Sequence, residues 1–272
     1  GYRFSGIAAG IKETGKKDLA LIVSAVPAVA VAAFTTSLAP AAPVQLGRKV
    51  LRSHRCQAVV INSGNANAAT GVRGLQDARR TQGRVAGLLK ISPALVVVSS
   101  TGKIGTPLPM SKLMKGLLPL TVQLSSEHFQ KAAEAILTTD KSAKVGGFTG
   151  RAGTKNYAVV ALSKGAGMVE PRMKQATMLA YFLTDLKISP RELDAIFQNA
   201  VAQSFNRITI DGDMSTNDTA LLMANGLAGN SALSTRDRKY FSAQLTSLMQ
   251  DLAHQMVADG EGATKVVRIE VK

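Results

Sequence analysis

The chain has 272 residues, 46% of them hydrophobic, and a mean hydropathy of +0.10. This size and composition exclude a disordered protein and allow a sizeable core in one large domain or two. Aromatic residues make up only 4% and Trp is absent, so the core must consist of small and aliphatic side chains and Met. Such side chains suit helices packed closely on a sheet, and we expect an α/β or α+β fold.

The charge balance is strongly basic, with 33 Lys and Arg against 18 Asp and Glu, a net charge of +15 and a pI of about 10.1. The basic residues are scattered and accompany no common DNA- or RNA-binding motif. We therefore expect a solvated basic surface rather than a nucleic-acid partner. Cys56 is the only cysteine, which excludes an intrachain disulfide and favours a reducing, intracellular compartment.

Residues 19–47 carry no charge and raise the question of a membrane helix. Three prolines interrupt this stretch, and its longest strongly apolar piece is shorter than the roughly 20 residues that a spanning helix needs. The first residues, GYRFSGIAAGIK, lack the continuous apolar region of a signal peptide. The sequence therefore predicts neither a membrane segment nor a secretory signal.

In the first half of the chain, residues 18–36 contain period-2 stretches and a proline followed by β-branched residues, which predict a strand and a hairpin. The stretch CQAVVINSGNANAATG predicts a strand running into a polar loop, with a helix after it. Residues 94–98 predict a second buried strand before a glycine-bearing turn. Functional residues concentrate in loops of this kind, so both strand ends are candidate site positions.

In the second half, residues 125–140 predict a helix, NYAVVALSKGAGM predicts a strand, and ATMLAYFLTD fits a buried helix or strand. SPRELDAIFQNAVAQSFN predicts an amphipathic helix, and DGDMSTND predicts a polar loop entering another helix. A long helix ending at Gly260 and a strand over 263–272 complete the chain. Because a strand needs neighbours, this last one indicates that the protein continues beyond it.

Common catalytic and metal-binding signatures are absent. The three histidines, His54, His128 and His254, are far apart and form no metal-binding motif. No nucleotide-binding glycine motif follows a strand. The aspartates of DGDMSTND (Asp211, Asp213 and Asp218) lack the spacing of a calcium loop, and we expect them to cap the next helix and bind the loop. We expect no metal site.

A threonine offers a different chemistry, because it can act as a nucleophile without histidine when it stands at a new N-terminus. The freed α-amino group, with a reference pKa of about 7.7–8.0, can accept the hydroxyl proton. A cut between Ala176 and Thr177 would create that arrangement, through attack of Oγ on the preceding carbonyl and hydrolysis of the resulting ester. Judged alone, a threonine in an apolar segment more often packs in the core.

Short motifs occur along nearly the whole chain, among them FTT, NSGNANA, STGKIGTPLPM, AILTTD, SKGAGM, ATMLA, SFNRITIDGD, STNDTALLMANG and DGEGATK. In sequence and in order, these motifs resemble the glutamate N-acetyltransferase/ornithine acetyltransferase family of arginine biosynthesis. The resemblance implies a layered α/β sandwich of the self-processing aminopeptidase type with a second, smaller α+β domain. We place the catalytic domain at 1–187 and the smaller region at 188–272.

The resemblance also implies a reaction. The precursor cuts itself between Ala176 and Thr177, and Thr177 then carries an acetyl group from N2-acetylornithine to L-glutamate in a ping-pong cycle. Thr101 and Gly102 match the oxyanion hole, which needs donors aimed at the tetrahedral oxygen. No metal or cofactor is expected. Whether acetyl-CoA serves as an additional acetyl donor, which would make the enzyme bifunctional, is not decided by these residues.

Substrate binding is assigned by the same resemblance to Thr138, Lys164 and Glu261, together with Thr177. A lysine suits the α-carboxylate of ornithine or glutamate, and a carboxylate suits an amine. The resemblance further implies a cytoplasmic enzyme, or one of the mitochondrial matrix in a eukaryote. Its two fragments from one precursor would pair in a higher oligomer.

Three features depart from the family pattern. PRMKQAT is two residues longer than usual before the scissile bond, Lys103 replaces a common Val, and Ala69 stands where Cys is frequent. The family also continues past DGEGATK through a domain that supplies an Asn and a Thr to the substrate. We therefore expect that part of the site to be absent from this sequence.

Two rival functions follow from these observations. The same threonine could hydrolyse an amide or peptide, as in amidases and aminopeptidases of related architecture, if water rather than glutamate reaches the acyl-enzyme. Alternatively, the chain is an inactive, truncated, basic binding protein on this scaffold.

Overall fold

The structure is a computed structural model and describes residues 1–170 and 178–270. Within these residues the strands are β1 (Tyr2–Ile7), β2 (Leu19–Phe34), β3 (Arg55–Asn65), β4 (Val96–Lys103), β5 (Lys144–Ala152), β6 (Lys155–Lys164), β7 (Leu179–Thr184) and β8 (Thr219–Ala224). The α-helices are α1 (Ala42–Val50), α2 (Gly71–Leu89), α3 (Met110–Val122), α4 (Phe129–Ala135), α5 (Pro190–Gln203) and α6 (Thr235–Ala258).

The strands are hydrogen-bonded in the order β4-β3-β2-β8-β7-β6-β5, and β1 pairs with β2. The β3–β4 and β7–β8 pairs are parallel, whereas the other pairs are antiparallel. Strand β8, from the C-terminal part of the chain, lies between β2 and β7. The predicted domain boundary at residues 187 and 188 stays a prediction.

Strand β2 connects two halves of this sheet. Its register with β3 shifts between Val23 and Ala28, and Pro27, which has no N–H to donate, lies within the shift. The first part of β2 pairs with β1 and β3, while the second part pairs with β8. The predicted hairpin at residues 18–36 is therefore wrong: one strand continues through the irregularity and changes partners, as strands do where they pass between packed sheets.

A buried core, which we call the central core, lies between the two halves of the sheet. It contains Val59 and Ile61 of β3 together with Leu162, Tyr181 and Met223 from the other half. Because side chains alternate along a strand, the remaining strand residues face outward and pack under helices. The helices α1 to α3 cover one half, and α5 and α6 cover the other. The result is a layered α/β sandwich, as the sequence predicted.

Local sequence explains why the C-terminal helices begin where predicted. The side chain of Ser189 accepts a hydrogen bond from the Glu192 amide, with Pro190 in the first turn of α5. The side chain of Ser234 caps α6 in the same way, and the Asp237 carboxylate accepts in return from the Ser234 amide. Since such caps satisfy amide groups that no helical carbonyl reaches, they fix both helix starts.

Two expectations about elements are wrong. The loop DGDMSTND leads into strand β8 rather than a helix, because all six residues of β8 are buried between two neighbouring strands. The final strand predicted over 263–272 is not found in residues 263–270, which are exposed and pair with no strand. Strand β7 decides the ambiguous ATMLAYFLTD in favour of a strand, and the helix predicted to Asp140 ends at Ala135.

None of the helices in the described ranges is long and apolar enough to cross a membrane.

Candidate functional site

A cleft of about 1000 Å³ opens where the two halves of the sheet meet at the ends of β3, β4 and β6. Five of the residues predicted for the site, separated by up to 160 positions in sequence, line this one cleft. They are Thr101, Gly102, Thr138, Lys164 and Glu261. The fold thus brings these residues together, and their individual roles remain predictions.

Gly102 is required by the close approach of β3 and β4. Its φ is +126°, and a Cβ atom there would lie 2.5 Å from the carbonyl carbon of Gly64 on β3. No other residue adopts that backbone without displacing the neighbouring strand. The buried side chain of Asn217 secures the same region, because its Nδ2 donates to the carbonyls of Ser100 (2.8 Å) and Ala66 (2.6 Å). The end of β4 is therefore held rigidly at the cleft.

Lys164 connects the two halves of the sandwich. Its Nζ donates to Oγ1 of Thr101 at 3.4 Å, and it lies 3.8 Å from Oδ2 of Asp140. Burial lowers the pKa of Lys164 below the usual value, because desolvation disfavours the ammonium, while the nearby Asp140 carboxylate acts in the opposite direction. Because it is buried, the Lys164 amino group has little hydration to lose when an anionic group enters the cleft.

Glu261 approaches the cleft over a glycine. Its backbone amide donates to the Ala166 carbonyl at 2.6 Å, and a Cβ atom on Gly167 would lie 2.3 Å from Oε1 of Glu261. Any side chain at position 167 would have to displace this carboxylate. Gly167 of SKGAGM therefore has a steric reason: it lets the loop after β6 pack beneath Glu261.

The proposed cleavage residues, Ala176 and Thr177, lie outside the described residues. The described chain resumes at Met178, whose carbonyl accepts a hydrogen bond from the Thr219 amide at 2.9 Å. The next residue, Leu179, is the register partner of Lys164. The chain that directly follows Thr177 in sequence is therefore fixed beside the strand end that carries Lys164.

The aspartates of DGDMSTND have roles other than helix capping. Asp211 accepts hydrogen bonds from the amides of Met168 and Val169, so it does fix a loop at the cleft. Asp218 precedes a strand and is buried, and the prediction that it caps a helix is wrong. Neither of its carboxyl oxygens accepts a well-formed hydrogen bond within the described part of the chain, although the Met178 amide and the Ser215 hydroxyl lie near. Burial raises the pKa of Asp218 well above its ordinary value.

The raised pKa of Asp218 predicts a pH-dependent stability effect. Below about pH 4 the carboxyl is protonated in both folded and unfolded chains; at higher pH the unfolded chain releases the proton and the folded chain retains it, so stability falls. Asp218→Asn, which stays neutral, should therefore raise the Tm by about 2–4 °C or more at pH 7 and by less at pH 4, measured calorimetrically. The exposed helix variant Asp251→Asn is the control, and an equal change in Tm at both pH values would contradict the assignment.

Sequence reasoning did not select Asp140, whose carboxylate lies 3.8 Å from Nζ of Lys164 and accepts a hydrogen bond from the Thr138 amide. Its position in the quoted motif AILTTD was the available signal. No group of three or more His, Cys, Asp or Glu side chains suited to a metal ion is found within 1–170 and 178–270.

Known proteins resemble this chain along its whole length. The sequence model of the ArgJ family matches residues 3–272 of this chain. The "Arginine biosynthesis bifunctional protein ArgJ" of Geobacter sulfurreducens is 48% identical over 274 residues, covering 100% of this chain and 69% of that protein. A crystal structure of the ornithine acetyltransferase of Mycobacterium tuberculosis, complexed with ornithine, matches with a TM-score of 0.55 and 34% identity, over 64% of this chain and 92% of that chain.

A more distant structure shows the fold alone. The L-aminopeptidase D-Ala-esterase/amidase of Ochrobactrum anthropi, described as a variant of the Ntn-hydrolase fold, matches with a TM-score of 0.56 at 10% identity. The match covers 96% of this chain and 85% of that chain. The sandwich of the self-processing aminopeptidase type, predicted from the sequence, is thereby confirmed.

Proposed function

This chain belongs to the ArgJ family of arginine biosynthesis, and from that premise we propose that it moves an acetyl group from N2-acetylornithine to L-glutamate. One observation carries the proposal beyond family membership: Thr101, Gly102, Thr138, Lys164 and Glu261 line one cleft, although they come from separate segments of the chain. An inactive binding protein would not need this convergence of the proposed oxyanion site with a buried lysine.

The reaction begins with Thr177 at the N-terminus of the second fragment. Its α-amino group takes the hydroxyl proton as Oγ attacks the acetyl carbonyl of acetylornithine. The tetrahedral oxygen develops its charge at Thr101 and Gly102. As the C–N bond breaks, the ornithine amine takes the proton and leaves, and the acetyl group remains as an ester on Thr177. The amine of glutamate then attacks the ester carbonyl, and the bond between that carbon and Oγ of Thr177 breaks. The proton lost by the glutamate amine passes through the α-amino group of Thr177 to its Oγ, and N-acetylglutamate leaves.

Charge in the cleft supports recognition of amino acids. The Lys164 ammonium offers a partner for an α-carboxylate, and the Glu261 carboxylate offers one for an amine. Because Lys164 is buried and Thr101 is within its reach, substrate carboxylate and reacting carbonyl would be held close together.

Acetyl-CoA is a second donor that we propose, because the mouth of the cleft is basic. Lys16, Lys103 and Lys112 line it, and such a cluster raises the local concentration of a phosphorylated donor. The relatives that carry the name "bifunctional" agree with two donors. Formation of N-acetylglutamate from acetyl-CoA and glutamate, with acetylornithine omitted, tests this donor directly.

Trapping the intermediate tests the proposed reaction. Incubation of the purified protein with acetylornithine and no acceptor should add one acetyl group to the fragment that begins at Thr177, as measured by intact mass. Addition of glutamate should remove that group and yield N-acetylglutamate. Loss of the acetyl group at the same rate without glutamate would instead support hydrolysis by an amidase-type enzyme. A chain that never acquires the group would support the binding protein.

We further propose that the enzyme acts in the cytoplasm, or in the mitochondrial matrix of a eukaryote, and that its two fragments stay together in a higher oligomer. The catalytic part at 1–187 and the smaller region at 188–272 are proposed units of this assembly.

A further inference from the structure

Four charged side chains are buried together beside the cleft, and we call them the buried charge network. They are Asp140, Lys144, Lys164 and Asp259. Nζ of Lys144 donates to Oδ1 of Asp140 at 2.6 Å and also to Asp259, while Lys164 lies 3.8 Å from Oδ2 of Asp140. Two cations and two carboxylates thus balance in a region where an unpaired charge would be costly.

Asp140 organises two substrate-contact positions through the backbone. Its Oδ2 accepts from the amide of Thr138 at 3.1 Å, and its Oδ1 accepts from the amide of Gly165, the residue after Lys164, at 2.7 Å. A single carboxylate, wholly buried on its side-chain atoms, therefore fixes the loop after α4 to the end of β6. Thr138 and Lys164 cannot separate without breaking these bonds.

Lys144 extends the same connection to the third contact position. Asp259 is the C-cap of α6 and lies two residues before Glu261. Besides its ion pair with Lys144, Asp259 accepts a hydrogen bond from the Lys141 amide at 3.0 Å. The Lys144 side chain therefore joins the loop that carries Glu261 to the carboxylate that holds Thr138 and Lys164.

We propose that Asp140 and Lys144 are positioning residues for substrate binding in this cleft, and that their opposite charges act on Lys164 in opposite senses. This inference rests on the proposed acetyl transfer and deepens it. Neither residue needs to touch the substrate, because each acts through Lys164, Thr138 or Glu261.

The electrostatic consequence has a definite sign. Burial lowers the pKa of Lys164, and the titratable groups facing it are the acidic Asp140, Asp218 and Glu261 and the basic Lys144. Lys12, which lines the cleft, is a further basic group that interacts electrostatically with Lys164, and its charge has the same sign as that of Lys144. The carboxylate of Asp140 raises the pKa of Lys164, whereas the ammonium of Lys144 lowers it.

The test is the alkaline limb of the pH profile of kcat/KM for glutamate. If protonated Lys164 binds the substrate carboxylate, kcat/KM falls as Lys164 loses its proton. Asp140→Asn removes a negative charge and should move this limb to lower pH by about one unit, whereas Lys144→Met removes a positive charge and should move it to higher pH by about one unit. The two variants break the same ion pair, so a purely structural role would not shift the limb in opposite directions.

Three further variants make the result decisive. The double variant Asp140→Asn with Lys144→Met should return the limb towards that of the parent, because it removes one negative and one positive charge together. Lys164→Met should abolish the limb and raise KM for glutamate at least tenfold. Lys155→Met, which removes an exposed lysine at the start of β6, the strand that ends at Lys164, should leave the profile unchanged.

Circular dichroism and Tm establish that each variant is folded. If Asp140→Asn does not fold, the limb of Lys144→Met should still lie at higher pH than the limbs of the parent and of Lys155→Met. Limbs that stay in place, or move in the same direction, in a parent that transfers acetyl would overturn this inference and leave the proposed function intact. A parent that transfers no acetyl group overturns the proposed function itself, and the inference with it.

Discussion

Thr177→Ala is expected to remain a single uncut chain and to lose acetyl transfer completely, because the substitution removes the only oxygen that can attack the preceding carbonyl and later carry the acetyl group. The parent should instead yield two polypeptides, one ending at Ala176 and one beginning at Thr177. Mass spectrometry of the denatured protein and N-terminal sequencing measure both outcomes.

Thr177→Ser tests the orientation of the attacking hydroxyl separately from its presence. Serine keeps the oxygen but lacks the branching methyl group that restricts its rotamers, so cleavage and turnover should both be slower than in the parent. Thr121→Ala is a matched control: its hydroxyl donates to the Leu117 carbonyl within α3, at 2.8 Å, and its loss should leave cleavage unchanged. An active Thr177→Ala, or an uncut parent that turns over substrate, would exclude the mechanism.

Thr101→Ala is expected to lower kcat by about 10²–10³-fold, which corresponds to about 2.7–4 kcal/mol of lost transition-state stabilisation. The residue lies at the rigid end of β4, and its Oγ1 already contacts Lys164, so the hydroxyl is held in the cleft before substrate binds. Because an oxyanion donor acts mainly in the transition state, KM should change little. Steady-state kinetics with acetylornithine and glutamate give both constants.

Two companion variants show whether this loss is chemical or structural. Thr101→Ser retains the hydroxyl and should recover most of the activity. Gly102→Ala places a Cβ atom against the β3 backbone at a positive φ, so it should lower Tm as well as kcat. An unchanged kcat in a folded Thr101→Ala protein would remove this residue from the site.

Some of the candidate site was visible in the sequence, because its motifs are local. STGKIG, SKGAGM and DGEG each place a candidate residue beside glycines, and the structure gives two of those glycines a steric reason at Gly102 and Gly167. The buried charge network was not visible. Lys144 and Asp259 are 115 positions apart, and nothing in the sequence near either residue indicates the other.

The nature of several elements was likewise decided by the sequence alone. The serine caps at Ser189 and Ser234 and the helical spacing of apolar residues after them determine α5 and α6, because capping and amphipathic periodicity act within a few residues. The order of motifs along the chain also determined the family. Capping and helical periodicity depend on residues that are close to one another in sequence.

Only the tertiary structure decided how those elements combine. TALLMA in β8 is a short apolar run that fits a helix or a strand equally well, and it becomes a strand because β2 and β7 satisfy its backbone on both sides. Strand β2 likewise continues past Pro27 and changes partners, because β3 and then β8 satisfy its backbone. Hydrogen bonds between distant strands, and the pairing of buried charges, depend on which segments meet in space, and that is a property of the folded chain as a whole.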